Sequence, residues 1–254
     1  MNKLSMIVII GLILIYTSTG WAALVGYWSF DDSGNPGHDD SGNGNDGTVY
    51  GATWITPGKI GGALSLDGTN DYVEVQNSPN LNPAYEITVE AWYKTVSFSG
   101  NGNNAIVDKG YSSHNPPYYQ YHLGVTGDLY SNNPAGFGFD VTVGGNRYYV
   151  RTGANFWTPG NWYHIIGTYD GSSVNLYVND VLVDSKPASG TMTDYNKNVR
   201  IGGFGNLERV GIDYLPGIID EVRIYDHAIP EPASLLMLGF GSLALFKKRS
   251  CRKI

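Results

Sequence analysis

Short runs of alternating or β-branched hydrophobic residues recur through most of the chain, with turn residues between them. Four of them show the pattern well: LVGYWSF from Leu24, ITVEAWYK from Ile87, SVNLYV from Ser173 and IIDEVRIYD from Ile218. Helical periodicity is absent between the two ends of the chain. Many short strands separated by turns are typical of a sandwich or barrel, so we predict an all-β fold.

The clearest predicted hairpin is SVNLYVNDVLVDS, in which Asn179 and Asp180 separate two alternating runs. Both residue types tolerate the positive φ that a tight two-residue turn requires. Long polar stretches at 31–48, 97–118 and 126–135 are predicted as loops, because strands resume on both sides of each. Loops of this kind often carry the functional residues of a domain.

The N-terminal residues predict an export signal. Lys3 precedes an apolar run from Leu4 to Tyr16, and the small residues Gly20 and Ala22 follow it. This order is that of a secretory signal peptide, which we place at residues 1–22. A membrane anchor is the alternative, although the run is shorter than the ~20 residues that a spanning helix needs.

The C-terminal residues show a second targeting pattern. Pro230, Glu231 and Pro232 precede an apolar run, 233–246, and five cations follow it. The positive-inside rule keeps such cations in the cytoplasm, which leaves residues 23–229 outside. The three parts together resemble the PEP-CTERM sorting signal of Gram-negative bacteria. The resemblance implies recognition and removal of the tail, 230–254, by an exosortase, and release to the cell surface or medium; a plain C-terminal anchor is the alternative.

Charge and cysteine content narrow the function of the exported part. Without the signal peptide and the tail, 10 basic and 22 acidic residues remain, a formal charge of −12. This balance argues against binding to nucleic acid or anionic lipid through net charge. The single cysteine, Cys251, lies in the tail, so the exported part contains neither a disulfide nor a reactive thiol. Its length fits one sandwich domain.

A series of sequence blocks resembles a known family. In chain order they are LVGYWSFDD, DDSGNGNDGTV, GGALSLDGTNDYVEV, ITVEAWYK, NWYHIIGTYDGSSVNLYVNDVLV, VRIGG and GIIDEVRIYDHAI, from Leu24 to about Ile229. These blocks resemble the LamG-like, concanavalin A-like lectin/glucanase jelly roll. The resemblance implies a two-sheet antiparallel sandwich over residues 23–229, and it leaves the function open, since functions reside in sites rather than in folds.

The glucanases of this fold carry Glu-x-Asp-x-x-Glu or Glu-x-Asp-x-Glu strands, and neither motif occurs here. A retaining carboxylate pair lies ~5–5.5 Å apart and an inverting pair ~6.5–9.5 Å. Glu86 and Glu90 share a strand face but lie about 13 Å apart, at ~3.3 Å per residue. We therefore expect no hydrolase, and a carboxylate pair assembled from different strands stays the alternative.

One segment, HDDSGNGNDG at 38–47, is rich in the oxygen ligands that calcium prefers. It is not an EF-hand loop, because the twelfth position lacks glutamate. By resemblance to the jelly rolls, a structural calcium is expected at Asp31, at Asn43 or Asp46, and at Asp220. Asp220 lies in an apolar strand, where a carboxylate costs several kcal/mol unless it is paired or metal-bound. An arginine partner for Asp220 and a solvated turn at 38–47 are the alternative.

Two strand faces combine polar side chains with an aromatic residue or histidine. One contains Glu90 and Trp92, and the other contains Gln120 and His122. Aromatic planes pack against sugar rings, and planar polar groups bind sugar hydroxyls. We interpret His164 as a packed core histidine.

Together the sequence predicts an exported jelly-roll protein whose domain binds polysaccharide or another extracellular matrix glycan without catalysis. The alternatives are a divergent glycoside hydrolase or polysaccharide lyase on the same fold and, third, a structural adhesin that contacts protein.

Overall fold

The computed structural model describes residues 22–94, 104–110, 117–126, 136–153, 156–204 and 214–229. These residues form fifteen β-strands and one short 3₁₀ helix, Pro79–Leu81, arranged as two antiparallel sheets. The predicted signal peptide up to residue 21, the Pro230-Glu231-Pro232 tripeptide and the apolar tail lie outside the described residues. Within the described ranges, no helix is long and apolar enough to cross a membrane.

The larger sheet has eight strands in the order β13-β12-β11-β6-β15-β4-β3, and β1 also pairs with β15. Its strands are β1 (Leu24–Trp28), β3 (Thr53–Ile55), β4 (Ala63–Asp67), β6 (Ile87–Lys94), β11 (Trp162–Tyr169), β12 (Ser173–Val178), β13 (Val181–Pro187) and β15 (Pro216–Tyr225).

The smaller sheet has seven strands in the order β10-β9-β8-β7-β14-β5-β2. Its strands are β2 (Gly47–Tyr50), β5 (Tyr72–Val75), β7 (Asn104–Gly110), β8 (Tyr119–Thr126), β9 (Gly136–Val143), β10 (Asn146–Arg151) and β14 (Val199–Ile201).

The hydrophobic core lies between the two sheets. Alternate residues of each strand point inward, as Val89, Ala91 and Tyr93 do on β6 and Phe139 and Val141 do on β9. The other face of each strand points away from the core, and these outer faces carry most of the polar side chains discussed below. This layered arrangement confirms the predicted antiparallel jelly-roll sandwich.

The hairpin prediction is confirmed. Asn179 and Asp180 form the two-residue turn between β12 and β13, with φ of 50° and 66°. The prediction of a loop over 97–118 is wrong for part of that stretch, because β7 is a strand at the centre of the seven-stranded sheet. Its residues Asp108 and Lys109 made the segment look polar, yet both side chains are buried.

A β-bulge interrupts β15. The pairing of β15 with β6 shifts register between Asp220 and Arg223, and Glu221 lies between them with a φ of +54°. This conformation is uncommon for a residue other than glycine and is associated with strain at functional or tightly constrained positions. The bulge gives the consecutive residues Asp220 and Glu221 different hydrogen-bond partners.

Candidate functional site

The structure divides the four predicted ligand-binding residues between two sheets. Glu90 and Trp92 lie on β6 of the eight-stranded sheet, and Gln120 and His122 lie on β8 of the seven-stranded sheet. Each pair alternates with core residues, so each points away from the core. The two pairs therefore belong to opposite outer faces of the sandwich.

On the eight-stranded sheet, Glu90 belongs to an ion cluster centred on Arg223. Arg223 forms ion pairs with Glu90, at 3.2 Å, and with Glu221. Tyr225 Oη donates to Glu90 at 3.3 Å, and Tyr27 Oη lies 3.0 and 3.1 Å from the two carboxylate oxygens of Glu221. Buried carboxylates need such partners. We refer to Tyr27, Glu90, Glu221, Arg223 and Tyr225 as the arginine cluster.

The electrostatics of Glu90 fit an ionised structural carboxylate. Burial raises the pKa of Glu90, but the hydrogen bond from His164 and the positive charges of His164 and Arg223 outweigh it, so the pKa lies below its usual range. A general acid of a glycosidase needs the opposite shift. Glu90 is thus unsuited to proton donation at neutral pH.

Trp92 is engaged by its neighbours within the domain. Its ring stacks on the imidazole of His164, with centroids 4.8 Å apart, and the Lys59 ammonium lies 4.0 Å from the ring centroid. His164 Nε2 lies 3.4 Å from Glu90, and its Nδ1 lies 3.3 Å from Asp180. The interpretation of His164 as a core histidine is wrong, because β11 directs it to the outer face, where 16% of its side chain is exposed.

On the seven-stranded sheet, His122 belongs to a line of directly opposed residues that crosses all seven strands. Each member faces the next across a strand pair, and each points away from the core. With strands ~4.8 Å apart, the line is about 29 Å long. We call it the cross-sheet row, and its members are Thr48, Glu74, Arg200, Asp108, His122, Asp140 and Tyr149.

The centre of the cross-sheet row is buried and charged. His122 Nδ1 lies 3.0 Å from Asp108 Oδ1, and both side chains are 1% exposed or less. Asp140 is equally buried and forms ion pairs of 2.6 Å with Arg147 and Arg151 of β10. Alternating acidic and basic groups compensate each other here, which makes their burial tolerable.

One buried polar atom of the row has neither a hydrogen bond nor an ion pair among the described residues. His122 Nε2 is buried and makes no hydrogen bond within the described part of the chain. The imidazole lies over Gly124, where an added Cβ would come within 2.4 Å of Nε2. Tyr119 stacks on the same imidazole, with centroids 4.5 Å apart. Burial and the charges of Asp108 and Asp140 raise the pKa of Tyr119.

Aromatic side chains lie at both ends of the row. At one end the ring of Tyr149 is 47% exposed, and Arg151 and Lys186 lie 5.0 and 4.6 Å from its centroid. At the other end Tyr50, 42% exposed, stacks on Tyr72 at 4.7 Å. A polar centre between exposed aromatic ends is the composition that sugar-binding surfaces use.

Gln120 has a supporting position beside the row. Its Nε2 donates to Asn82 Oδ1 at 3.2 Å, and its Oε1 accepts from the backbone N–H of Tyr195 at 3.3 Å. The side chain is fully buried. It therefore ties β8 to two neighbouring loops, and His122 is the member of this predicted pair that lies in the row.

Two of the predicted calcium ligands meet at one turn, 58–62. Asp31 Oδ1 accepts the N–H of Gly62 at 2.7 Å, and Asp220 Oδ2 accepts the N–H groups of Lys59 and Ile60 at 2.7 and 3.0 Å. Among the described residues, the hydrogen-bond partners of Asp220 are therefore backbone N–H groups and not the arginine that the sequence analysis gave as the alternative. Its other oxygen, Oδ1, is buried without a partner among the described residues, and burial raises the pKa of Asp220 to about 6.

The other two predicted calcium ligands have different surroundings. Asn43 Nδ2 donates to Leu24 O at 2.9 Å, and Asp46 Oδ1 accepts the Asp39 N–H at 2.8 Å. Their loop is organised around buried Asp39, whose carboxylate accepts the N–H groups of Tyr27 and Asn45. In the described part of the chain, no group of three or more His, Cys, Asp or Glu residues is placed to hold a metal ion.

The sequence reasoning missed four charged members of the row, Glu74, Asp108, Asp140 and Arg200. Three of them have apolar or aromatic neighbours on both sides within a strand, in YVEV, FGFDV and VRI, and Asp108 follows the apolar run AIV. A lone charge in such a run costs several kcal/mol when it is buried without a partner. That signal, used for Asp220, would have predicted a charged network across β7, β9 and β14.

Comparison with known proteins agrees with this architecture. Residues 67–232 match the family model of the concanavalin A-like lectin/glucanases superfamily, and residues 228–253 match the PEP-CTERM protein-sorting motif. The motif indicates export and a cell-surface or extracellular location, and it implies recognition by an exosortase. A search of curated protein sequences gives no significant match.

Among solved structures, domain 4 of AbnA, a GH43 extracellular arabinanase from Geobacillus stearothermophilus in complex with arabinotriose, is 21% identical. The match covers 83% of this chain and 95% of that domain, with a TM-score of 0.60. The binding domain of Paraclostridial Mosquitocidal Protein 1 is 18% identical, with a TM-score of 0.63, and botulinum neurotoxin type C, in a structure describing its interaction with two ganglioside molecules, is 13% identical, with a TM-score of 0.55.

These identities establish the fold alone. The matches cover 85% and 79% of this chain, but only 51% and 47% of the two toxin chains. The family match, in contrast, extends over more than half of the sequence. The chain therefore belongs to the concanavalin A-like lectin/glucanases superfamily and carries a C-terminal PEP-CTERM sorting motif.

Proposed function

We propose that this protein is exported by a Gram-negative bacterium and binds polysaccharide, without catalysis, along the outer face of its seven-stranded sheet. The observation that carries the proposal is the cross-sheet row. It crosses seven strands, is about 29 Å long, and ends in the exposed rings of Tyr149 and Tyr50 beside the row. An extended chain of several sugar units fits such a strip, with its apolar ring faces on the tyrosines and its hydroxyls on Arg147 and Arg151, which are partly exposed beside the buried centre.

The unpartnered His122 Nε2 supports a polar ligand. A buried polar atom without a hydrogen bond costs roughly 1–3 kcal/mol, so an unfilled hydrogen-bonding position is seldom kept without a use. Domain 4 of AbnA, which has the same fold, has a solved structure in complex with arabinotriose, and this supports a glycan as the class of ligand. Trp92 and Glu90 contribute less under this proposal, because the arginine cluster, His164 and Lys59 already engage them.

The absence of catalysis in this proposal rests on charge pairing. Asp108 pairs with His122, and Asp140 pairs with Arg147 and Arg151. A glycosidase requires one carboxyl group that stays protonated until it donates its proton. A carboxylate that is already held by an imidazole or a guanidinium is poorly placed to donate a proton to a glycosidic oxygen.

A polysaccharide lyase is the second candidate, and one observation favours it. Asp108 holds Nδ1 of His122 while Nε2 stays unpartnered, which is the arrangement of a general base. Incubation with polysaccharide distinguishes the two functions, because a lyase releases new sugar ends and a binding domain does not.

A structural calcium ion at the turn 58–62 is part of the proposal. Asp220 Oδ1 is a buried, unpartnered carboxylate oxygen, and Asp31 contacts the same turn. Calcium takes carboxylate and carbonyl oxygens and would neutralise the buried charge. Under this proposal the ion fixes β15 against the turn, and Asn43 and Asp46 act within their own loop.

The test uses the full-length protein with a panel of plant and bacterial polysaccharides, with calcium or with chelator. We expect binding without new sugar ends. Tyr149→Ala and Tyr50→Ala should each weaken binding about five- to tenfold, ~1 kcal/mol. Tyr85→Ala is the control, since Tyr85 is 71% exposed and its backbone lies beside Gly171, between β11 and β12 of the other sheet. Binding that does not depend on either tyrosine would refute the location, and released sugar ends would refute the absence of catalysis.

A further inference from the structure

A cavity of about 220 Å³ opens beside the cross-sheet row at its Arg200 position. Its lining residues are Gly110, at the end of β7, and Asn196, Lys197, Asn198 and Arg200 around the start of β14. The volume suits one small polar unit, such as a monosaccharide residue, rather than a long side chain or a drug-sized molecule. Its chemistry follows from how the amide groups around it are held.

The buried ammonium of Lys109 fixes the first of these amides. Lys109 is fully buried, and its Nζ donates to Asn77 Oδ1 at 2.6 Å and to the backbone carbonyl of Lys197. An ammonium group can only donate, so the atom of Asn77 that faces it is the oxygen. Asn82 Nδ2 donates to the same oxygen at 3.1 Å, so the Nδ2 group of Asn77 points to Asn196.

The orientation of Asn77 then determines the two amides of the cavity. Asn77 Nδ2 donates to Asn196 Oδ1, and the Asn77 backbone N–H donates to Asn198 Oδ1 at 3.0 Å. Both are donors only, so both lining asparagines must present their oxygens to Asn77. Their Nδ2 groups have no hydrogen-bond partner among the described residues and remain as donors of the cavity wall.

The charged groups around the cavity have the same preference. Lys197 and Arg200 line it, and Lys109 lies behind Lys197. The negative charges nearby are Glu74, which is already paired with Arg200 at 2.8 Å, exposed Asp194, and Asp108, which lies opposite Arg200 and is held by His122. The described lining of the cavity itself consists of two cations, two amides and a glycine, in a chain whose net charge is −7. Groups that only donate select a ligand that mainly accepts.

We propose that this cavity binds the anionic group of an acidic sugar unit, a uronate carboxylate or a sulfate ester, within the polysaccharide that the cross-sheet row holds. The inference rests on the proposed polysaccharide binding and names its ligand class. Lys197 supplies charge, and the Nδ2 groups of Asn196 and Asn198 supply directed hydrogen bonds. Arg200 links the cavity to the row, since it belongs to both.

The test compares polymers that differ only in their charge. Full-length protein is titrated with polygalacturonate and with fully methyl-esterified polygalacturonate, and in parallel with dextran sulfate and dextran. We expect at least one charged polymer to bind tenfold or more tightly than its neutral form. The pair that shows this difference tells carboxylate from sulfate recognition.

Two variants locate the effect. Asn198→Asp keeps an oxygen for the Asn77 N–H but replaces the free donor by a carboxylate oxygen, and Lys197→Gln removes one charge. Each should reduce the charged-to-neutral affinity ratio at least fivefold while leaving neutral binding unchanged. Lys94→Gln is the matched control, because Lys94 lies on β6 of the eight-stranded sheet, where its ammonium is 5.3 Å from the ring centroid of Trp162. Retained cooperative unfolding of each variant shows that the fold is intact.

Three results would overturn the inference. Equal affinities for charged and neutral polymers contradict it, and so does an affinity ratio that Asn198→Asp leaves unchanged. Both of these results leave the proposed polysaccharide binding standing if neutral polymers still bind and the tyrosine variants still weaken that binding. Failure to bind any polymer, neutral or charged, refutes the proposed function together with the inference.

Discussion

The two outer faces of the sandwich use charged residues in different ways. On the eight-stranded sheet, the arginine cluster is closed, since Arg223 pairs with both Glu90 and Glu221 and the tyrosines Tyr27 and Tyr225 complete their hydrogen bonds. On the seven-stranded sheet, the cross-sheet row leaves His122 Nε2 unsatisfied within the described residues. A closed network stabilises a fold, whereas an open one has capacity for a ligand.

The largest effect should come from removing the central cation of the arginine cluster on the eight-stranded sheet. Arg223→Met leaves Glu90 and Glu221 buried without their common cation, and breaking such a pair costs roughly 3–5 kcal/mol. Urea unfolding of the variant should show this loss. Polysaccharide affinity, measured at a temperature where the variant is folded, should stay within twofold of the wild type, and a strong loss of affinity would move the binding surface to this face.

A smaller effect is expected at Asp220, the carboxylate of β15 with one unpartnered oxygen. Its pKa in the folded state is about 6, against 3.8 for an unperturbed aspartate, so the folded protein holds a proton that the unfolded chain releases between these values. Stability due to this group therefore falls as the pH rises from about 4 to 6, by about 3 kcal/mol in all, and stays low above that range.

Asp220→Asn removes this pH dependence. In chelator, the stability of the wild type relative to the variant should decrease between pH 4 and 7, as measured by urea unfolding at each pH. Added calcium should raise the melting temperature of the wild type at pH 7 and leave that of the variant unchanged. Equal stabilisation of both proteins by calcium would place the ion elsewhere.

The smallest effect is expected on the seven-stranded sheet, from a substitution beside His122. Gly124→Ala places a Cβ 2.4 Å from His122 Nε2 and 2.7 Å from the backbone oxygen of Asn104, so both the imidazole and β7 must shift, at a cost of about 1–3 kcal/mol. Gly167→Ala is the matched control, because its Cβ would meet the ring of Phe139 in the core at 2.2 Å. Both variants should lose stability, but only Gly124→Ala should also weaken polysaccharide binding. Equal binding losses would argue against a role for His122.

The sequence predicts the fold well because alternation is a local signal. Strands such as β6 and β12 place apolar residues at every second position, and the Asn179-Asp180 turn follows from the backbone preferences of two residues. Alternation does not predict the strand β7. Its Asp108 and Lys109 are stabilised by His122 and Asn77, which are distant in sequence, and no local pattern shows such partners.

The candidate site is less predictable for the same reason. Period-2 alternation places His122 on an outer face, but its membership of a seven-residue row depends on strand order and register. Glu90 and Trp92 have the composition of a binding face, yet Arg223 and His164 arrive from other strands to engage them. Composition identifies residues able to bind sugar, and only the pairing of strands shows which of them retain unused hydrogen-bonding capacity.

The first and last strands of the domain pair with each other, which brings the two ends of the domain together. Leu24 lies opposite Tyr225, and Ala23 and Asp226 exchange hydrogen bonds, so the chain enters and leaves the domain at one corner. Any pull exerted through the residues after Ile229 acts on β15, which is held by β1 and β4 on one side and by β6 on the other. Many hydrogen bonds then share the load, so a force that reaches the domain from that side is spread over the eight-stranded sheet.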